Sequence, residues 1–145
     1  PGDLDYIHSV ERIGQLSNVI SINGGVQLDL MGQENAESAG TRQLSGVGGQ
    51  MDFLEGAFRS KGGKGFICIN SSRITKDGER RSNILPTIPG GSTISAPRTM
   101  IDYVATEYGV VSLMGKSLRE RAEAMASIAH PDFREELLQY AHDHF

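Results

Sequence analysis

A chain of 145 residues, 38% hydrophobic and 22% charged, has the makings of one globular domain able to bury its own core. Its formal net charge of −4 argues against a general nucleic-acid or membrane-surface binder, and its apolar runs are too short to span a bilayer, with no transmembrane or signal segment visible. The four histidines and single cysteine show no H-E-x-x-H or paired Cys/His spacing, so no metal is expected.

Residues 1–18 read as the remnant of an upstream connection, and Pro1 in place of an initiator Met suggests processing or truncation. The domain proper is expected over 19–145. Strands are predicted over 19–22 and 26–30, joined as a hairpin or bulge at Asn23-Gly24-Gly25; the second alternates apolar and polar residues, as if one face were buried.

The next feature is Ser45-Gly46-Val47-Gly48-Gly49-Gln50, which frees the backbone just before a helix-compatible segment. It fits neither the dinucleotide fingerprint nor the P-loop. On spacing alone it serves equally as a tight turn or as a loop that offers backbone N–H groups to an anion or developing oxyanion. Phe53, Leu54, Ala57 and Phe58 then recur at helical spacing, and Lys61-Gly62-Gly63 ends the helix before a strand over 65–69. That strand holds Cys68, whose apolar neighbours predict a buried core thiol, and a lone thiol suits the cytoplasm or another reducing compartment.

Seven of the fourteen Lys and Arg residues lie between Arg59 and Arg81, opposed only by Asp77 and Glu79. A solvated basic face and a phosphate site are both compatible with that excess. Asp77-Gly78 marks a turn, and the Pro/Gly-rich span 86–97 is expected to wrap an edge, with a short strand over 92–95. Strands over 103–106 and 110–113 bracket Glu107-Tyr108-Gly109, which puts Glu107 at a strand end, facing a crevice. Ser117 and Glu120 have capping-box spacing, and Leu118, Ala122, Met125 and Ala129 form one apolar stripe. Pro131 opens a last helix with Phe133, Leu137, Leu138 and Ala141 on one side; His130 marks its boundary, and His142 and His144 are expected exposed at its end.

Five motifs stand in order: Asp29-Leu30-Met31-Gly32-Gln33, the glycine loop, Thr106-Glu107-Tyr108-Gly109-Val110, Leu118-Arg119-Glu120-Arg121-Ala122, and Ala129-His130-Pro131-Asp132-Phe133-Arg134. Together they resemble the C-terminal part of the acetyl-CoA hydrolase/transferase family, which includes the 4-hydroxybutyrate, butyrate and succinyl-CoA:acetate CoA-transferases. The resemblance covers about 19–133. It implies an α/β, layered CoA-transferase-type (NagB/RpiA-like) domain with a mixed sheet and two C-terminal helices.

It also implies a chemistry, in which CoA moves between carboxylates through a glutamyl-CoA thioester. The nucleophilic glutamate is expected upstream of this chain, in a missing N-terminal domain of the same enzyme. Carried over by motif, Gly48 and Gly49 become oxyanion supports, and Gly46, Gly48, Gly49, Gln50 and Lys76 become coenzyme contacts. Glu107 becomes a positioning carboxylate rather than the nucleophile. Coenzyme A enters as a substrate with a small carboxylate as its partner, no tightly bound cofactor is expected, and homo-oligomer assembly stays open. The competing reading is a noncatalytic anion- or nucleotide-binding α/β module.

Overall fold

Apolar residues at 66–69 and 103–105 supply the middle of the main sheet, residues 20–22 add an edge strand from which Ile20 and Ile22 face outward, and a helix between the segments 20–22 and 66–69 packs on the sheet. In the computed structural model, which describes residues 2–145, the chain runs α1 (Leu4–Ile7), α2 (Val10–Gln15), β1 (Ile20–Gly24), β2 (Gln27–Asp29), β3 (Glu34–Asn35), β4 (Ser38–Ala39) and β5 (Arg42–Gln43). There follow α3 (Gln50–Arg59), β6 (Lys64–Cys68), β7 (Ser72–Ile74), β8 (Arg80–Ser82), β9 (Ile84–Leu85), β10 (Tyr103–Thr106), β11 (Gly109–Ser112), α4 (Leu118–Ser127) and α5 (Pro131–His144).

The main sheet has the order β1-β6-β10-β11; its first three strands are parallel, and β11 returns antiparallel to β10. It is therefore mixed, as the resemblance implied. A smaller sheet, β3-β2-β9, lies beside it, and two hairpins, β4-β5 and β7-β8, complete the strands. Leu28, Leu54, Ile67, Ile84, Val104, Met125 and Leu137 form one buried cluster under both sheets and the C-terminal helices.

The helices end where local chemistry dictates. Ser117 and Glu120 close a reciprocal capping box at α4, and Pro131 opens α5 behind His130, whose ring accepts from the Asp132 amide. Along the expected stripes Ala122, Met125, Ala129, Leu137 and Ala141 are buried, while Leu118 and Leu138 face outward. Phe58 likewise points to solvent although Leu54 and Ala57 are buried. Residues 4–15 form two short helices, and α2 docks on α3: a Cβ at Gly56 would come within 2.4 Å of Ile13.

Four expectations need correction. The segments 19–22 and 26–30 are not a hairpin: β1 pairs with β6, while β2 pairs with β3 and β9. Gly24 and Gly25 carry the chain from one sheet to the other instead of folding it back. All three residues of β2 are buried, because it is the central strand of the small sheet and is covered on both faces. Residues 92–95 form no strand; their stretch pairs only through an isolated bridge between Ala96 and Glu34. Cys68 is exposed, since the pleat that turns Gly65 and Ile67 inward turns it out.

Two polar clamps hold the turn between β2 and β3. Buried Asp29 accepts from the amides of Met31 (3.0 Å) and Gln33 (2.8 Å) and from the Gln33 side chain (2.7 Å). From α4, Arg121 reaches over to donate to the carbonyls of Met31 (3.1 Å) and Arg98 (2.9 Å). The motif Asp29-Leu30-Met31-Gly32-Gln33 is thus a rigid turn that fixes where Glu34 begins.

Candidate active site

The parallel strands β1, β6 and β10 all end at one edge of the sheet. Because α3 packs on β1 and β6 and leads into β6, its N-terminus lies at that same edge. The crevice outside the carboxyl ends of parallel strands is where α/β sheets bind ligands. Here a cavity of about 400 Å³ is lined by Gly25, Cys68, Ile69, Asn70, Ala105 and Thr106.

Glu107 stands beside this cavity at the tip of the β10–β11 hairpin. The Ser71 amide donates to one of its oxygens (2.9 Å) and the Ser71 hydroxyl to the other (2.6 Å). What burial it has pushes its pKa up, but the Ser71 hydroxyl and amide and the nearby His130 outweigh that and hold it below the ordinary value. The carboxylate is a fixed anion at neutral pH. Its hairpin tip is pinned in turn by Thr106, whose hydroxyl donates to Ile128 (2.7 Å) and accepts from the Tyr108 amide (3.1 Å).

The glycine loop leads into α3 as expected. Gly48 has φ +62, a left-handed conformation natural to glycine, and nothing lies within 4 Å of where its Cβ would be. Gly46 is equally open. Gly49, the N-cap of α3, is glycine for another reason: a Cβ there would come within 2.2 Å of the His8 ring. That ring also bonds Asp52 in the first turn of α3 (3.2 Å). The open side of the loop is therefore the Gly48 side.

Gln50, the first residue of α3, points inward and donates its side-chain amide to Glu34 Oε2. Glu34 is fully buried, and its other oxygen, Oε1, has no hydrogen-bond partner. That oxygen lies 2.7 Å from where a Cβ on Gly25 would sit, so only glycine leaves room for it. Burial pushes the Glu34 pKa up to about 7, against the pull of Gln50 and with a further push from Glu37. The folded protein thus keeps a proton that the unfolded chain releases near pH 4.5. The stability this adds is complete below that pH and is lost as pH rises through about 7, about 3 kcal/mol in all. Urea unfolding across this window should show the decline in the native protein and a flatter profile in Glu34→Gln. Superimposable profiles would show that Glu34 does not titrate with folding.

The basic segment does not form one patch. Arg59, Lys61 and Lys64 sit at the far end of α3, about 15 Å from the loop at 1.5 Å per residue. The others lie on or near the β7–β8 hairpin. Lys76 is exposed at that hairpin's turn and makes no ion pair among the described residues. Arg73, Arg80 and Arg81 instead line a second cavity of about 370 Å³ whose apolar side includes Pro86, Pro89, Phe133 and Leu137.

The edge thus gathers Gly48, Gly49, Gln50 and Glu107 from the expected residues and leaves Lys76 apart. Sequence reasoning missed Glu34 and Ser71. An acid directly after a turn motif reads as solvated unless its burial is known, whereas Ser71, three residues beyond a strand end, could have been flagged. Among the described residues no cluster of His, Cys, Asp and Glu could hold a metal ion, and no helix is long and apolar enough to cross a membrane.

Comparison with known proteins gives this edge its context. Residues 2–141 match the model of the acetyl-CoA hydrolase/transferase C-terminal domain. The chain is 49% identical over 135 residues to the 4-hydroxybutyrate coenzyme A transferase of Clostridium kluyveri, covering 93% of this chain and 31% of that protein. It is 46% identical over 138 residues to the butyryl-CoA:acetate CoA-transferase of Anaerostipes caccae, covering 95% and 31%. Among solved structures, RipA from Yersinia pestis superimposes with a TM-score of 0.84 at 42% identity, over 96% of this chain and 30% of that one. The chain therefore spans less than a third of the length of these relatives. On the family match and on these identities, it belongs to the acetyl-CoA hydrolase/transferase C-terminal domain family.

Proposed function

We propose that this chain is the C-terminal part of an acyl-CoA hydrolase or acyl-CoA:carboxylate CoA-transferase that works through a glutamyl-CoA thioester. The observation that carries the reading is that an ionised, doubly bonded Glu107 and an open left-handed turn at Gly48 heading a helix lie at the same edge of the sheet. The nucleophilic glutamate comes from an N-terminal domain outside this chain. Its carboxylate attacks the acyl thioester carbonyl, the C–S bond breaks, and the released thiolate attacks the resulting anhydride at the glutamyl carbon, freeing the first carboxylate. Each attack puts negative charge on a carbonyl oxygen. Backbone N–H groups at Gly48 and Gly49, at the positive end of α3, are suited to hold it.

Glu107 is suited to positioning. As an anion at neutral pH it orients hydrogen-bond donors on the incoming groups without competing as a proton donor. The coenzyme's phosphates match Arg73 and Arg80 of the second cavity, where Glu136 also stands and Glu79 pairs with Arg81, with Lys76 at the tip of the same hairpin. A small carboxylate is the acceptor in transfer and water in hydrolysis. A cytoplasmic setting accords with the exposed free thiol of Cys68.

Mass spectrometry after incubation of the full-length protein with acyl-CoA tests this. A CoA adduct is expected on a glutamate outside residues 1–145, and this chain alone should form none. An adduct on one of its own glutamates would show the nucleophile misplaced. Tighter binding of ATP than of CoA would favour the noncatalytic anion-binding module, which the arginine-lined cavity also suits. Within the proposed mechanism, Ser71→Ala should lower kcat by about 10- to 100-fold, the value of a hydrogen bond to a charged group. Its sign in pH is also fixed. Glu107 serves while ionised, so activity falls as pH drops through its pKa, and losing the Ser71 hydroxyl should move that acid limb to higher pH.

A further inference from the structure

We infer that Asn83 is a positioning residue that holds Arg73 at the arginine-lined cavity and, with the same side chain, holds the Asn70–Ser71 segment that grips Glu107. The inference rests on the CoA-transfer reading for what the two places bind and do, and on hydrogen bonds for the tie between them. Asn83 is buried, between β8 and β9. Its backbone amide donates to the Ser71 carbonyl (2.8 Å), and its carbonyl accepts from the Leu28 amide of β2 (2.9 Å). Its side-chain oxygen accepts from Arg73 Nη1 (2.5 Å), and its side-chain nitrogen donates to the Asn70 carbonyl (2.9 Å). A guanidinium can only donate and a carbonyl can only accept, so the amide has one orientation. Aspartate would lack the donor, and leucine would lack both groups.

Arg73 thereby gains a direction without losing its charge. Of the three arginines on that cavity, Arg81 is paired with Glu79 (2.8 Å) and Arg80 stands 4.0 Å from Asp132, whereas Arg73 makes no ion pair among the described residues. Glu136, also on the cavity wall, pairs with none of them. A neutral amide oxygen holds Arg73, so its charge is left for an anion. Its place suits a long ligand, because Gln27, Arg73 and Pro89 also line an adjoining cavity of about 370 Å³. On the other side of Asn83 the Asn70 and Ser71 carbonyls are pinned, and Ser71 is the residue whose amide and hydroxyl hold the Glu107 carboxylate. A continuous path of hydrogen bonds therefore runs from Arg73 to Glu107, with Asn83 as its middle member. Buried networks of this kind set geometry at both ends.

The test uses full-length protein and takes the two ties one at a time. Asn83→Leu should raise the KM for acyl-CoA and lower kcat, each by about tenfold, the value of a hydrogen bond to a charged group. In a background already carrying Arg73→Gln, Asn83→Leu should change KM no further but still lower kcat; in a Ser71→Ala background it should still raise KM but lower kcat no further. That crossed pattern requires two separate partners, and a general loss of stability does not produce it. Undiminished effects on KM and kcat in both backgrounds would overturn the inference. Hydrogen exchange at the Ser71 amide needs no turnover. It should be about tenfold faster in Asn83→Leu than in native protein, and unchanged in Arg73→Gln. Should Asn83→Leu not fold, Asn83→Asp keeps the size and the acceptor for Arg73 but sets an oxygen against the Asn70 carbonyl, and it should show the same faster exchange. Equal rates in native protein and the Asn83 variants would overturn the tie even if no CoA is transferred. Faster exchange in those variants together with an absent CoA adduct on native protein would instead overturn the CoA-transfer reading and leave the tie standing.

Discussion

Gly48→Val should lower kcat of the full-length protein by about 100- to 1000-fold while changing its affinity for free CoA little. The size is that of losing one preorganised oxyanion donor. No atom lies within 4 Å of the place a Cβ would take, so the defect is not a clash inside the protein. It has two other sources. A β-branched residue resists φ +62, at a cost of about 1–3 kcal/mol, and relaxes by turning the neighbouring amides away from their common focus. The branched side chain also stands on the open side of the loop, where the thioester must approach. Gly90→Ala is the control, because Gly90 is equally open, has no left-handed backbone to lose and lies outside the loop. Steady-state kinetics alongside calorimetry with CoA would separate turnover from binding. A fall of less than tenfold in kcat would make the loop a turn and nothing more.

The largest expected loss of stability comes from Arg121→Ala, about 3 to 5 kcal/mol by urea unfolding. Arg121 is buried, and its guanidinium satisfies two carbonyls from segments distant in sequence, Met31 and Arg98. Burial, with Arg98 nearby, lowers its pKa, yet a guanidinium stays charged in proteins. Alanine removes the charge and the packing of its stem and leaves both carbonyls without a donor. Arg121→Lys should recover only part of the loss, since both bonds leave from one nitrogen, Nη1, which lies one bond further along the side chain than a lysine ammonium reaches. A loss under 1 kcal/mol would mean that water replaces the guanidinium at no cost.

What could be read from the sequence follows from the range of the interactions involved. The three long helices and the β10–β11 hairpin were legible because periodicity, capping at Ser117 and the Pro131 start act within a few residues. Glu107 was legible for the same reason, as an acid at the tip of a local hairpin. The sheet switch at Gly24-Gly25 was not, because strand partners are chosen across distant parts of the chain, and two glycines allow a crossing as readily as a reversal. Cys68 misled because apolar neighbours report the strand, while the pleat decides which side each residue takes. Glu34 was hidden for a related reason. Its meaning depends on Gln50, sixteen positions later, and on an absent Cβ at Gly25, neither of which leaves a local pattern.

The ring of His8 against Gly49 makes the mouth of the loop one-sided. On the CoA-transfer reading, a planar acyl group entering there would meet an imidazole wall on one flank and free space on the other, so its two faces would not be equivalent. Whichever face turns toward the loop, the attacking carboxylate must arrive on the other. On that reading, the N-terminal helices of this chain would dictate the direction from which the proposed nucleophilic glutamate reaches in.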